Sequence, residues 1–149
     1  MRAVVQRVSS ASVVVDQQVT GEIKGGLLVY LGIEKNDTAE DVGYMVEKIT
    51  NLRIFEDEDG KMNRSMIDEA GEMLCISQFT LLGDCRRGRR PSFTDAKEPA
   101  AADELYKQFI QGCRTKNIKT ETGIFQAHME VSSVNDGPVT MMIDSKKLF

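Results

Sequence analysis

The chain has 149 residues, 23 acidic side chains against 19 basic ones, a net charge of −4, and 41% of its residues are apolar. This length supports one domain with a substantial core, and the acidic balance excludes a surface that is a nucleic-acid platform throughout while leaving room for one basic patch. No apolar run approaches the roughly 18 residues a membrane helix needs, and Gln6 and Arg7 break the first apolar stretch before it forms a signal-peptide core, so a soluble, cytoplasmic protein with no membrane partner is expected.

In chain order, Ala3, Val5, Arg7 and Ser9 alternate with Val4, Gln6, Val8 and Ser10, and Val13 to Val15 then run into the polar Asp16-Gln17-Gln18 turn. With Gly21, Gly25 and Gly26 punctuating the approach to the apolar run Leu27 to Ile33, this pattern predicts an antiparallel meander. Thr38 with Asp41 three residues on is an acidic capping box, opening a helix with Ala39, Val42, Met45, Val46 and Ile49 on its inner face. Leu52 to Phe55 reads as a short strand. The segment Glu56 to Lys61 lacks the alternating ligands and closing glutamate of a calcium loop, and reads as a solvated acidic turn.

Met73 to Leu82 reads as another strand, followed by a loop from Gly83 to Ser92 that carries Arg86, Arg87, Arg89 and Arg90. A second helix is predicted from about Pro99 to Lys116, with Ala102, Leu105, Phe109 and Cys113 inward. Strands near Ile118 to Thr122 and Met129 to Val134 then lead through Asn135-Asp136-Gly137-Pro138 into Val139 to Ile143. No repeat or linker interrupts the pattern, so residues 1–149 are expected to form one α+β domain, β-rich, with two helices covering part of the sheet. Cys75, Cys85 and Cys113 match neither zinc nor redox spacing, and reduced thiols are expected, with no metal and no cofactor.

Two segments carry chemistry: Ser77-Gln78-Phe79-Thr80-Leu81 and Asn135 to Thr140. A hydroxyl nucleophile needs a base within hydrogen-bond reach, and His128, the only histidine, is placed by the pattern on a strand. A triad of Ser77, His128 and an acid stays open on this reading, beside the plainer one of hydrogen-bonded polar residues at a strand end. Alternation places Ser77 and Phe79 on one face of the strand and Gln78 and Thr80 on the other. Gly137-Pro138 reads alone as an ordinary turn, although a Gly-Pro step can also hold a cis bond exposing bare carbonyl oxygens. The four arginines form either a solvated run or a phosphate-binding patch.

Taken together, these residues resemble the D-aminoacyl-tRNA deacylase (D-tyrosyl-tRNA deacylase) family of editing hydrolases. Val5 to Val8, Asn51 to Phe55, Gly60 to Asn63, Ser77 to Leu81, Arg89 to Phe93 and Asn135 to Thr140 all occur in the family's order. The resemblance implies a barrel-like domain that pairs into a homodimer and hydrolyses D-aminoacyl-tRNA. It implies that Ser77, Gln78, Phe79 and Thr80 surround the reacting ester, with Phe125 and Met129 as pocket walls. Gly137 and Pro138, joined by a cis bond, would reach into the partner's pocket, held by Arg7, and Arg86, Arg87, Arg89 and Arg90 would meet the tRNA backbone. Because selection would act by rejecting L side chains, glycyl-tRNA is expected to be a substrate as well. The chain departs from the family pattern at Ile124, Gln126 and Leu82-Gly83, all near the pocket rim.

Overall fold

The computed structural model describes residues 1–149. Strand β1 (Arg2–Val15) turns at Asp16 and Gln17, both with positive φ, into β2 (Gln18–Ile23), and β3 (Gly26–Gly32) follows a two-residue break. The expected meander does not form. β2 and β3 lie along the same edge of β1 in a single register that runs from Val13 opposite Gly21 to Arg2 opposite Gly32. The three segments are one long hairpin, broken where the polar Ser9-Ser10 stretch faces Lys24-Gly25.

The odd-numbered residues of β1 are buried on both sides of that break, but in different clusters. Before it, Ala3 and Val5 join the main core with Leu27, Val29 and Leu31; beyond it, Ala11, Val13 and Ile23 pack with Val8 and Leu28 in a second cluster. The sheet order is β8 (Glu130–Asp144), β1, the paired β2 and β3, β6 (Glu72–Ser77), then β7 (Thr120–Thr122). β6 runs parallel to both of its neighbours. It and β3 are buried on both faces, which is why Leu27 to Leu31 and Met73 to Ile76 are apolar runs with only Tyr30 interrupting. A Cβ on Gly26 would lie 1.9 Å from the Glu72 carbonyl oxygen, so only glycine lets β3 and β6 start this close together.

Helix α1 (Ala39–Thr50) opens at the expected capping box: the Asp41 carboxylate accepts from the Thr38 amide at 2.9 Å. Val42, Met45, Val46 and Ile49 are buried, whereas Ala39 sits in the first turn and is exposed. β4 (Phe55–Glu56) and β5 (Met62–Arg64) form a separate ribbon, whose acidic turn is closed by Asp57 accepting from the Asp59 and Lys61 amides and from the Asn63 side chain. Helix α2 (Pro99–Thr115) is capped by the Glu98 carboxylate and buries Ala102, Tyr106, Phe109, Ile110 and Cys113. Leu105, expected inward, is only half-buried; Tyr106 takes that place because its hydroxyl donates to the Cys75 carbonyl at 2.7 Å.

The two helices cover one face of the strongly curved, barrel-like sheet, and the 23-residue main core lies between them. At its edge, the Met1 ammonium and Asp37 form a fully buried ion pair at 2.7 Å, with Ser145 Oγ accepting from the same ammonium at 2.8 Å. No helix is long and apolar enough to cross a membrane.

Candidate active site

β6 ends at Ser77, earlier than its sequence suggests. Gln78 is tied by its amide to the Leu31 carbonyl at 2.8 Å, and the chain then winds into a 3₁₀ turn over Phe79–Leu82. The alternation expected through Thr80 is therefore lost. Ser77 and Gln78 are half-buried, Phe79 is 57% exposed, and Thr80 is exposed on the turn. Within the turn the first amide to find a carbonyl is that of Leu81, which donates to Gln78, so the amides of Phe79 and Thr80 have no acceptor there. Gln78 Nε2 donates to Thr80 Oγ1.

Ser77, Gln78 and Phe79 line a cavity of about 650 Å³ whose floor is Leu31, Ile33, Ile76 and Ala102. Phe125 and Met129 also line it, and Phe125 is backed by Tyr106 at a ring separation of 5.9 Å. Phe79 meets Phe93 edge-on at 5.1 Å across the mouth. Lys97, Glu98 and Pro99, which no sequence pattern marks as pocket residues, arrive from the start of α2, and Phe93 joins them from the end of the arginine loop; only the fold brings them to β6. His128 lines the same cavity, but from the turn preceding β8 rather than from a strand. No hydrogen bond joins it to Ser77. Gln126 lines the rim with φ at 62°, a left-handed conformation more usual for glycine or asparagine. Burial pushes the Cys75 thiol well up and the Cys113 thiol up to about 12, which removes both as nucleophiles.

The arginine loop is closed at its base by Asp84 and Ser92, which exchange backbone hydrogen bonds of 2.7 and 3.0 Å beside Phe93. Arg86 makes a two-pronged contact with Asp84 at 2.8 and 2.7 Å, and these hydrogen bonds hold the Asp84 carboxyl well below its usual range. Arg87, Arg89 and Arg90 are exposed and pair with no carboxylate, so three of the four guanidiniums are open to an external anion.

Asn135-Asp136-Gly137-Pro138 does not separate two strands, because both flanks belong to β8. Gln6 pairs with Thr140 and Val8 with Asn135, leaving Asp136 to Val139 as a four-residue insertion opposite Arg7 alone. Arg7 is almost wholly buried. Its Nε donates to the Asp136 carbonyl at 3.1 Å and pairs with the Asp136 carboxylate at 2.9 Å, while Nη1 donates to the Ile54 carbonyl at 2.6 Å. The Gly137–Pro138 bond is cis, and both residues are exposed. Neither lines the cavity of their own chain.

Comparison with known proteins agrees with this architecture. The family model described as D-Tyr-tRNA(Tyr) deacylase matches residues 4–144. The D-aminoacyl-tRNA deacylases of Thermosipho africanus and Thermotoga petrophila are 57% and 58% identical over 149 residues, covering all of both chains in each case. A solved structure described as a c-Myc DNA unwinding element binding protein superposes with a TM-score of 0.90 at 41% identity, covering 97% of this chain and 98% of that one. A probable eukaryotic D-amino acid tRNA deacylase shares the fold at a TM-score of 0.83 and 16% identity, covering 95% of this chain and 97% of that one. The chain thus belongs to the D-aminoacyl-tRNA deacylase family, hydrolases that cleave the ester between a D-amino acid and tRNA.

Proposed function

We propose that this hydrolase selects its substrate by rejecting L-amino acids, using a Gly137-Pro138 loop supplied by a second copy of the chain in a homodimer. The observation that carries the reading is a separation: the Ser77–Phe79 cavity is walled by Phe125 and Met129 yet lacks Gly137 and Pro138, which project, exposed, from β8. L and D esters carry identical groups, so discrimination requires fixing the α-ammonium and carbonyl and colliding with a side chain that points the wrong way. Carbonyl oxygens on a side-chain-poor loop can hold the ammonium without adapting to the wrong enantiomer.

Glycine has no side chain to collide, which makes glycyl-tRNA, including glycine mischarged on alanine tRNA, a second substrate. The amides of Phe79 and Thr80 act as an oxyanion hole, each such donor contributing about 2.7–4 kcal/mol of transition-state stabilisation. Water attacks the ester carbonyl, activated by the neighbouring ribose 2′-hydroxyl, and tRNA and free amino acid leave. The apolar floor and the Phe79–Phe93 mouth receive the 3′-terminal nucleoside, and Arg87, Arg89 and Arg90, with Arg86 where Asp84 releases it, hold the tRNA backbone. The enzyme works in the cytoplasm without a cofactor.

Amino acid release from D-tyrosyl-, L-tyrosyl- and glycyl-tRNA at equal enzyme concentration tests selection. Rapid loss of the D and glycyl esters with the L ester intact is expected, and equal loss of D and L esters would overturn the reading.

The chemical step has its own test. A covalent Thr80 is an alternative mechanism, and Ser77 with His128, which line the same cavity, is another. Thr80→Ala and His128→Ala are each expected to keep the single-turnover rate within about fivefold, since neither side chain supplies the oxyanion donors. Abolished turnover with intact folding and tRNA binding in either variant would transfer the chemistry to that side chain.

A further inference from the structure

Asn135 stands at the entrance of the inserted loop, and its carboxamide does the work that strand pairing does elsewhere. Its Nδ2 donates to the Arg7 carbonyl on β1 at 2.9 Å and to the Val139 carbonyl at 3.3 Å, bridging the two ends of the loop and anchoring both to the neighbouring strand. Its Oδ1 lies 2.9 Å from where a Cβ on Gly137 would sit, the nearest atom such a group would meet. The side chain therefore occupies the hollow beneath Gly137. Arg7 grips the loop only through Asp136, on one side.

We propose that Asn135 is a positioning residue for the editing reaction: its carboxamide sets the height of Gly137 and Pro138 above β8 and is the reason residue 137 must lack a side chain. The inference rests on the reading of this loop as the selector. An aspartate at 135 keeps the shape but removes both hydrogen bonds and turns a carboxylate oxygen toward the two carbonyls, so the loop loses its closure. The loop then rocks about the Arg7 contact, and the groups it presents leave their productive geometry.

The test is steady-state and single-turnover hydrolysis of D-tyrosyl-tRNA and L-tyrosyl-tRNA by Asn135→Asp and Asn135→Ala, with thermal midpoints measured in parallel. For both variants kcat on the D ester is expected to fall about tenfold to a hundredfold, with KM within about twofold because the arginine loop is untouched. The D-to-L rate ratio should fall as well, a change that loss of folded protein alone would not produce. Gly137→Ala should be severe in the wild-type background and add little in the Asn135→Ala background, where Oδ1 is gone. Unchanged kcat and D-to-L ratio in both Asn135 variants, or fully additive effects with Gly137→Ala, would overturn the proposal. Deleting Gly137 and Pro138 separates the two levels. If the deletion keeps activity, the selector reading fails; if it abolishes activity while the Asn135 variants keep theirs, only the positioning role fails.

Discussion

Deleting Gly137 and Pro138 is expected to lower D-aminoacyl-tRNA hydrolysis by about a hundredfold or more, because on the proposed reading the group that orients the ester is removed rather than shifted. The fold should survive, since Gln6–Thr140 and Val8–Asn135 pairing flanks the insertion on both sides. A second lesion, Phe79→Pro, removes one of the proposed oxyanion donors at the first position of the 3₁₀ turn. Proline fits there because Gln78 before it is extended, with φ at −144° and ψ at 80°. Alone it is expected to cost about 10²–10³ in kcat.

Mixing the two inactive chains is the decisive experiment. In a hybrid dimer the deletion chain contributes an intact cavity, and the Phe79→Pro chain contributes an intact loop. Refolding the chains together in equal amounts should restore about a quarter of wild-type activity, since half of the dimers are hybrids and each has one complete site. Absence of recovery, with hybrid dimers demonstrated by a mass tag, would mean that each loop serves its own chain.

The second large effect concerns stability. Asp37→Ala is expected to lower the unfolding free energy by about 3–5 kcal/mol, because it strands the fully buried Met1 ammonium with Ser145 Oγ as its remaining partner. The same change frees the Glu34 amide, which donates to Asp37 Oδ2 at 2.6 Å. Lys146→Ala makes a suitable control. Lys146 also reaches Asp37, at 3.4 Å, but its side chain is 35% exposed, so a loss of about 1 kcal/mol or less is expected. Urea denaturation of the two variants checks this contrast. A loss for Asp37→Ala no greater than that for Lys146→Ala would show that the buried pair contributes little.

Much of this fold could be read from local pattern. The Thr38–Asp41 capping box, the 1–33 strand region and the proline-led second helix depend on neighbours two to four residues apart, and such signals survive folding. Ambiguity arose where a local pattern had two solutions. Phe79-Thr80-Leu81-Leu82 alternates as a strand would, and only the tether from Gln78 to Leu31 shows that the chain turns away. Leu105 is a better apolar residue than Tyr106, yet the Cys75 carbonyl selects the tyrosine. Site residues followed the same rule. Family resemblance pointed to Ser77 through Thr80, Phe125 and Met129, and the lone histidine pointed to His128, whereas Lys97, Glu98 and Pro99 reach the cavity by tertiary convergence that no spacing records.

The insertion at Asp136–Val139 also bears on the rhythm of turnover. A lid between two flexible arms must close on each substrate and reopen on each product, and those motions often set the pace of an enzyme. Here both arms are zipped to one strand, Asn135 ties the two ends together and Arg7 grips the base from beneath, so the loop has no hinge on which to swing. On the proposed reading of this loop as the selector, discrimination is then complete on contact, and the tempo of proofreading is left to bond cleavage and to the departure of the tRNA.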